Sequence, residues 1–238
     1  ATGNDEVAFL ARRFNGAAER VQTLVQTHKS LLANASHELR SPLTRIRMGL
    51  ELMGSQPTPA FRDEISRNIA ELDQLIDEIL LASRLDAKET DMGTVESVDL
   101  TGLVAEECAR TDAELDVDAA GAGVVIQGVP KLLRRLVRNL LENARRYGDG
   151  AVRVTVRRNA GRAVLRVSDH GPGVPEAERE RIFEPFYRLH GASEREGGVG
   201  LGLALVRSIT QRHGGTVHCE DAPGGGACFV VTLPCNQL

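Results

Sequence analysis

The stretch Ala35-Ser-His-Glu-Leu-Arg-Ser-Pro-Leu-Thr-Arg-Ile-Arg47 decides the first half of the fold, and it carries a single imidazole, His37. Before it, positions alternately four and three residues apart are apolar except for one histidine: Leu10, Phe14, Ala17, Val21, Leu24, His28, Leu31 and Ala35. This spacing is typical of the buried seam of a coiled coil. After it, the stripe continues through Leu39, Leu43, Ile46, Leu50 and Met53. The pattern predicts one long helix, or two abutting helices, over residues 4–53.

His37 is expected to face water. At about 100° per residue, it lies about 200° from Ala35 and about 160° from Leu39, which both belong to the apolar stripe. Glu38 stands beside it and is able to orient an imidazole and take its proton. Pro42 lacks the N–H that would bond back to the carbonyl of Glu38, so the helix is loosened one turn later. An exposed imidazole with a carboxylate neighbour is a good phosphoryl acceptor, although an ordinary surface or capping histidine stays open as the alternative.

A second amphipathic helix is expected after a turn at residues 54–59, with Thr58 as its cap and Pro59 at its first position. Its predicted apolar face comprises Phe61, Ile65, Ile69, Leu72, Ile76, Ile79 and Ser83. Two antiparallel helices cannot bury both apolar faces by themselves. Two copies would form a four-helix bundle, so we expect a homodimer.

The pattern changes after residues 86–97, which are polar and without periodicity and therefore mark a domain boundary. Beyond them, strands and helices alternate. Strands are expected near residues 95–100, 115–118, 124–128, 151–158 and 162–168 and on both sides of Gly224-Gly-Gly226, and helices near residues 103–114, 130–147 and 202–213. The order predicts an α/β sandwich and not a parallel βαβ array.

Composition excludes several classes of function. The chain has 238 residues, a net charge of −4 and only 3% aromatic residues, which argues against a nucleic-acid-binding protein. Its four cysteines include no Cys-x-x-Cys pair, which is typical of a reduced compartment without a zinc site. No apolar run is long enough to span a bilayer and no signal peptide is visible. Because the chain opens inside a helical pattern without a start methionine, we expect a fragment of a longer protein.

No lysine follows a glycine, so the P-loop is excluded, and the His-Arg-Asp and Asp-Phe-Gly motifs of eukaryotic protein kinases are missing too. A dispersed set of polar residues stands in their place. Asn139 and Asn143 are four residues apart on one helical face, where two amide oxygens could face a hydrated Mg²⁺. Arg146 lies near that face and could reach phosphate oxygens, although solvated polar positions remain the alternative.

Two glycine-containing motifs follow. Asp169-His-Gly-Pro-Gly173 comes directly after a strand, where a carboxylate could accept a hydrogen bond from an exocyclic amine; an ordinary turn is the alternative. Gly198-Val-Gly-Leu-Gly-Leu203 leads into a helix, so its backbone N–H groups could approach phosphates. It could pass for a dinucleotide fingerprint, but no strand immediately precedes it. The polar residues 190–197 before it are typical of a mobile lid.

Together these motifs resemble those of bacterial sensor histidine kinases, and the resemblance covers nearly the whole chain. Ser36–Arg47 resembles the phospho-acceptor motif, and Arg138–Tyr147 resembles the asparagine box. Asp169–Gly173, the phenylalanine box Ile182-Phe-Glu-Pro-Phe-Tyr-Arg188 and Gly198–Leu203 follow in the family's order. The start of the chain resembles the last helix of a HAMP linker.

The resemblance implies a dimeric four-helix bundle built from helical hairpins, followed by an α/β sandwich of the histidine kinase/gyrase-like ATPase type. The domains would be a HAMP helix and signalling coiled coil at residues 1–27, a dimerisation and phosphotransfer domain at 28–86, a linker at 87–97 and an ATP-binding catalytic domain at 98–238.

The resemblance also implies roles for individual residues. His37 would accept the phosphoryl group, Glu38 would act as base or orienting group, and Arg188 would steady the transferring phosphoryl charge. Ser41 stands where the family usually has Thr or Asn, a side chain implicated in orienting water for dephosphorylation of the partner. Ala227 replaces a frequent Thr, so one hydrogen bond to the base would be lost.

For the nucleotide, the resemblance implies ATP with Mg²⁺. Asn143 and Asn139 would hold the metal, and Asp169 would read the adenine amino group. The remaining implied contacts are Arg146, Tyr147, Gly171, Gly173, Gly198, Gly200, Leu201, Gly202 and Leu203.

The implied function is autophosphorylation of His37 followed by transfer to an aspartate of a response regulator, with phosphatase activity towards that regulator. The implied partners are a second copy and the regulator, with no nucleic acid and a membrane only through a segment absent from this chain. That would make the chain the cytoplasmic portion of an inner-membrane sensor. A gyrase-like ATPase or serine kinase, and a nucleotide-gated docking module with a degenerate site, remain alternatives.

Overall fold

The computed structural model describes residues 3–52, 59–87, 92–117, 123–148, 150–189 and 199–235. The chain divides into two compact units, Ala1–Ile79 and Leu80–Leu238. Residues 54–58 of the predicted turn, including the cap Thr58, lie outside the described residues, as do the whole predicted lid at residues 190–197 and the glycine Gly198. Within the described residues, no helix has the length and apolar character needed to cross a membrane.

The first unit contains a helical hairpin, as predicted. Helix α1, Gly3–Leu52, is a single helix that runs through Pro42, and helix α2, Pro59–Asp86, begins with its proline at the first position. The seam residues Leu10 and Phe14 are 69% and 72% exposed in the single chain. Ala17, Leu24, His28 and Leu31 are seam positions whose side chains the structure does not describe.

The face of α2 that is buried in the single chain overlaps only partly with the predicted apolar face. Its buried residues are Asn68, Leu75, Glu78, Ala82 and Leu85. Ile69 and Ile76 of the predicted face remain exposed, at 47% and 40%. The apolar surface of α2 is therefore wider than one stripe, and part of it is left uncovered by the single chain.

The second unit is an α/β sandwich, as predicted. Its sheet has the order β2-β4-β5-β7-β6, in which β2 pairs parallel with β4 and every other neighbour is antiparallel. The strands are β2 Glu114–Val117, β4 Arg153–Asn159, β5 Arg162–Ser168, β6 Thr216–Asp221 and β7 Ala227–Pro234. A separate antiparallel pair joins β1, Glu96–Asp99, to β3, Val125–Gly128.

Among the described residues of this unit, three further α-helices accompany the sheets: α3 Leu100–Thr111, α4 Pro130–Tyr147 and α5 Gly202–Arg212. The prediction placed α3 about three residues too late. The helix starts early because the carboxylate of Asp99 accepts a hydrogen bond from the N–H of Gly102 at 3.1 Å, and it ends early because Asp112 is left-handed, with φ 54°.

The core follows the alternation of the strands. Six inward-facing residues of β4, β5 and β7 are at most 1% exposed: Val154, Val156, Leu165, Val167, Phe229 and Val231. Leu133, Val137, Leu140 and Leu141 of α4 and Leu205, Val206 and Ile209 of α5 are equally buried. The amphipathic faces of these two helices thus close over one side of the sheet.

A buried carboxylate ties α3 to α4. Glu107 is almost fully buried and forms ion pairs with Arg134 at 2.8 Å and Arg138 at 3.2 Å. Burial by itself would raise the pKa of the Glu107 carboxyl, but the hydrogen bonds and charges of the two arginines outweigh burial and lower it. The neighbouring Glu106 also pairs with Arg134, at 2.8 Å, but it lies on the surface.

A half-buried imidazole ties α5 to the start of α4. Nδ1 of His213 donates to the carbonyl of Ile209 at 2.7 Å, and Nε2 accepts the N–H of Val129, the residue before α4, at 3.1 Å. Burial lowers the pKa of His213. A Cβ at Gly128 would lie 2.8 Å from the ring, so this glycine leaves room for it.

We expect Glu107→Gln to lower the free energy of unfolding by about 1.5–3 kcal/mol, because three hydrogen bonds between charged groups are lost or weakened. Glu106→Gln, the matched control, should cost less than about 1 kcal/mol because its ion pair is exposed. Urea unfolding followed by circular dichroism measures both. Equal costs for the two variants would contradict the distinction between the buried and exposed carboxylates.

We expect His213 to make stability depend on pH. Its pKa is lower in the folded state, so its contribution is complete above the unfolded value near 6.5 and declines as the pH falls from there towards the folded value. The slope is at most about 1.4 kcal/mol per pH unit. Unfolding between pH 7.5 and 5 should show a flatter profile for His213→Gln than for the natural chain or for His170→Gln, which alters an exposed histidine. Parallel profiles would refute this assignment.

Candidate functional site

The candidate phosphoryl acceptor is solvent-facing. His37 is exposed on α1, whereas Ala35 is buried, which is the orientation that the apolar spacing predicts. Glu38 is half-buried directly beside it. Pro42 is buried and breaks one bond of the helical ladder without ending α1. The imidazole is therefore presented to solvent by a continuous helix.

One turn beyond His37, Ser41 is exposed and belongs to a polar network that the sequence did not reveal. Its hydroxyl oxygen accepts a hydrogen bond from Nη1 of Arg45 at 3.1 Å. Nε of Arg45 donates to Oδ1 of Asn68 at 2.7 Å, and Nη2 pairs with Glu71 at 2.6 Å. The i, i+4 spacing of Ser41 and Arg45 was the one available signal, since the two partners on α2 become neighbours only in the hairpin.

The candidate nucleotide site of the second unit is centred on Asp169. This residue follows β5 and is 3% exposed. Its Oδ1 accepts the N–H groups of Gly171 at 2.9 Å and Ala227 at 3.0 Å, and its own N–H donates to the carbonyl of Ala227 at 2.9 Å. One carboxylate oxygen is thus committed to the backbone, while Oδ2 makes no hydrogen bond within the described residues. An acceptor fixed in this way suits a ligand amino group.

Glycines allow the backbone to close around this carboxylate. A Cβ at Gly171 would lie 2.1 Å from the carbonyl oxygen of Tyr147, and one at Gly226 would lie 2.2 Å from that of Asp169. Gly226 also has φ +95°, in the left-handed region. Its contact with Asp169 was not predicted, because the sequence indicated only a turn there. Gly173, with φ +76°, lies against the backbone of Gly226.

Helix α4 carries the asparagine box. Asn143 and Tyr147 are half-buried and Arg146 is exposed. Asn139 is 4% exposed, and its Nδ2 donates to the carbonyl of Gly202 at 3.1 Å. The side chain of Asn139 therefore joins α4 to the first residue of α5. Its role as a second metal ligand stays a prediction, and Asn143 is the more accessible of the two amides.

The glycine-rich motif is described from Val199 onward, and its first glycine, Gly198, is outside the described residues. Gly200 has φ +79°, and its carbonyl accepts the N–H of Phe186 at 2.9 Å. A Cβ there would lie 2.9 Å from the backbone of Phe186. Leu201 is fully buried and precedes α5, which begins at Gly202, and Leu203 is half-buried. The motif is thereby tied to the phenylalanine box.

The phenylalanine box is a structural support for that motif. Phe186 is left-handed, with φ 64°, a conformation that costs a bulky residue about 1–3 kcal/mol. Phe183 is buried and packs edge-on against Phe229, with ring centroids 6.4 Å apart. Arg188 is half-buried, just before the lid. Within the described residues, no group of three or more His, Cys, Asp or Glu side chains is arranged to hold a metal ion.

A helical hairpin with an exposed histidine, followed by an α/β sandwich with a fixed carboxylate acceptor and a glycine-rich loop, fits the class of two-part nucleotide-binding proteins. Comparison with known sequences is more specific. Residues 27–88 match the family described as "His Kinase A (phospho-acceptor) domain". Residues 128–237 match "Histidine kinase-, DNA gyrase B-, and HSP90-like ATPase". The chain belongs to the sensor histidine kinase family.

Individual relatives agree with this assignment. Sensor protein RstB of Escherichia coli (strain K12) is 37% identical over 227 residues, covering 93% of this chain and 52% of RstB. Signal transduction histidine-protein kinase/phosphatase MprB of Mycobacterium sp. (strain KMS) is 34% identical over 254 residues, covering 99% of this chain and 49% of MprB. The solved structure of Acinetobacter baumannii histidine kinase AdeS shares the fold, with a TM-score of 0.69 and 20% identity over 84% of this chain and 98% of that chain. The chain spans about half the length of the curated relatives it matches.

We expect Asp169→Asn to weaken ATP binding by about tenfold or more without unfolding the domain. The amide oxygen keeps an acceptor for the N–H groups of Gly171 and Ala227, but an NH₂ group would replace Oδ2, the oxygen predicted to meet the adenine amine, and an NH₂ group cannot accept a hydrogen bond. Calorimetric titration with ATP and magnesium measures the affinity, and circular dichroism checks the fold. Asp116→Asn, on the surface of β2, is the control. Unchanged affinity in Asp169→Asn would remove Asp169 from the site.

Proposed function

We propose that this chain is the catalytic core of a sensor histidine kinase, which moves the γ-phosphoryl group of ATP to His37 and then to an aspartate of a response regulator. The observation that carries the proposal is the solvent-facing imidazole of His37 on a chain that also contains an ATPase-type domain. The accessible ring supports a role as acceptor, because a neutral imidazole nitrogen has a lone pair available to attack phosphorus.

In the proposed first step, a ring nitrogen of His37 forms a bond to the γ-phosphorus while the bond from that phosphorus to the bridging oxygen of ADP breaks. Glu38, beside it, accepts the proton from the ring or orients it, a role typically worth about 10²–10⁴ in rate. Arg188 would stabilise the charge that develops on the transferring group. Positioning and charge neutralisation supply most of the remaining acceleration.

The donor set of the second unit fits a nucleotide with a hard cation. Asp169 offers one carboxylate oxygen for the adenine amine. The half-buried amide of Asn143 has an oxygen of the kind that Mg²⁺ prefers, and the exposed Arg146 would pair with phosphate oxygens. When bound, Mg²⁺ would neutralise phosphate charge during the transfer. The backbone N–H groups at the start of α5 would face the phosphates.

A homodimer is supported by apolar surface that the single hairpin leaves exposed. Leu43, Met48 and Leu50 of α1 are 52–60% exposed, in addition to Ile69 and Ile76 of α2. Apolar surface contributes about 25 cal/mol per Å² when it is removed from water. A second hairpin would cover these faces and complete a four-helix bundle.

The partner of the second transfer would be a response regulator that docks beside His37, and Ser41 would serve its dephosphorylation. The description of MprB as a kinase/phosphatase supports proposing both activities, phosphoryl transfer to the regulator and dephosphorylation of the regulator. We also propose that the chain is the cytoplasmic portion of an inner-membrane sensor, on the resemblance of its first residues to a HAMP helix. The domain limits at residues 27, 86 and 97 are part of the same proposal.

We expect His37→Ala to abolish incorporation of ³²P from [γ-³²P]ATP with magnesium while ATP binding is retained, because only the acceptor nitrogen is removed. The label on the natural chain should be lost in acid and stable in base, as a phosphoramidate is. His218→Ala, on the surface of β6, should label normally. Equal labelling of His37→Ala would refute the assignment, and an acid-stable label would indicate a serine kinase.

A further inference from the structure

The guanidinium of Arg45 is held at three points. Nε donates to Oδ1 of Asn68, Nη2 pairs with Glu71, and Nη1 donates to the hydroxyl oxygen of Ser41. Asn68 is buried, and its Nδ2 donates to the carbonyl of Glu64 at 2.8 Å, which leaves Oδ1 as the atom available to Arg45. Arg45 is therefore oriented by α2, which distinguishes it from an arginine that lies loosely on a surface.

The hydrogen bond from Arg45 makes Ser41 an acceptor, whereas the other hydroxyl side chains nearby on α1 act as donors. Ser36 and Thr44 each donate to the carbonyl four residues earlier, at 2.8 Å. Such back-bonding is the ordinary choice of a helical serine or threonine. Within the described residues of the first unit, Ser41 donates no such bond to the carbonyl of His37. Its oxygen instead accepts a hydrogen bond from Arg45. Its hydrogen is thereby left free to donate outward.

His37, Ser41 and Arg45 form one exposed row on α1, because each is four residues from the next. A partner whose phosphorylated side chain faces His37 would also face the hydroxyl of Ser41. The χ1 angle of threonine is restricted by its β-methyl group, whereas serine has no such group. A hydrogen bond from another residue is therefore needed to fix the orientation of the serine hydroxyl. The charge of Arg45 lies at the same place and favours an anionic group.

We propose that Arg45 is the positioning residue for dephosphorylation of the docked regulator, acting through Ser41; this inference rests on the proposed function. Arg45 holds the oxygen of Ser41, and the hydroxyl hydrogen of Ser41 binds and orients a water molecule. The water oxygen forms a bond to the phosphorus of the aspartyl phosphate while the bond from phosphorus to the aspartate oxygen breaks. The aspartate leaves as a carboxylate, and inorganic phosphate and a proton pass to solvent.

The test compares two activities of the same dimeric chain. The probe is a purified receiver domain, chosen from a panel as the one that natural His37 labels fastest, and then phosphorylated with acetyl phosphate. One assay follows the loss of its aspartyl phosphate, and the other follows labelling of His37 from [γ-³²P]ATP. The variants are Arg45→Ala, Arg45→Lys, Ser41→Ala and the double variant. Arg47→Ala is the matched control, because Arg47 is on the same helix and pairs with Glu51 at 2.9 Å.

We expect Arg45→Ala to slow dephosphorylation by about tenfold or more, as a misplaced reacting group does, with labelling of His37 unchanged within error. Adding Arg45→Ala to Ser41→Ala should cause no further loss, since both act through one hydroxyl. Arg45→Lys should recover part of the rate because lysine keeps the charge and a donor group but lacks the planar guanidinium that contacts three partners. Arg47→Ala should match the natural chain in both assays.

Three results would overturn this inference. Arg45→Ala could dephosphorylate the receiver domain at the rate of the natural chain, or it could lose dephosphorylation and His37 labelling equally. The third result is a double variant whose rate loss equals the product of the losses of the two single variants. Equal losses would show that Arg45 only supports the hairpin, and multiplying losses would show that Arg45 acts independently of Ser41. Failure of the proposed function is distinguishable, because the natural chain itself would then label neither His37 nor any receiver domain.

Discussion

The candidate nucleotide site depends on the two backbone hydrogen bonds that fix Oδ1 of Asp169. One N–H comes from Gly171 in the loop after β5, and the other comes from Ala227 at the start of β7. The two bonds join the ends of two neighbouring strands to one carboxylate. Because Oδ1 is held there, Oδ2 has a defined direction, and a ligand amine would meet an acceptor that needs no reorganisation. Preorganisation of this kind lowers the cost of binding.

Much of the fold follows from local patterns. The bounds of α4 agree with the prediction because Pro130 suits a first helical position and the residues after it are strongly amphipathic. The strands β4 and β5 alternate around a short turn, which period-two patterning detects well. The start of α3 was misplaced because the apolar pattern does not record a cap, whereas the side chain of Asp99 decides where the helix begins.

What the sequence could not provide is contact between distant segments. Asn68 and Glu71 are on α2, so their bonds to Arg45 exist only after the hairpin has formed. Gly226 lies far along the chain from Asp169, and nothing in a run of three glycines indicates which of them must approach a backbone carbonyl. Asn139 illustrates the same limit, since two asparagines on one face predict a shared ligand. The structure gives the first of them a further partner on α5, through its Nδ2, which the sequence did not indicate.

The same geometry bears on the departure at Ala227. The contact that this residue makes with Asp169 comes from its backbone N–H and carbonyl, and any residue other than proline supplies both. Alanine in place of a threonine therefore leaves the placement of the carboxylate intact, and the expected loss would be confined to a direct or water-mediated bond to the base. Gly171 and Gly226 are the opposite case, because an added Cβ would meet a backbone oxygen within 2.1–2.2 Å. Whether a substitution around this carboxylate is tolerated should therefore depend more on the distance between the new Cβ and the neighbouring backbone atoms than on the chemistry of the new side chain.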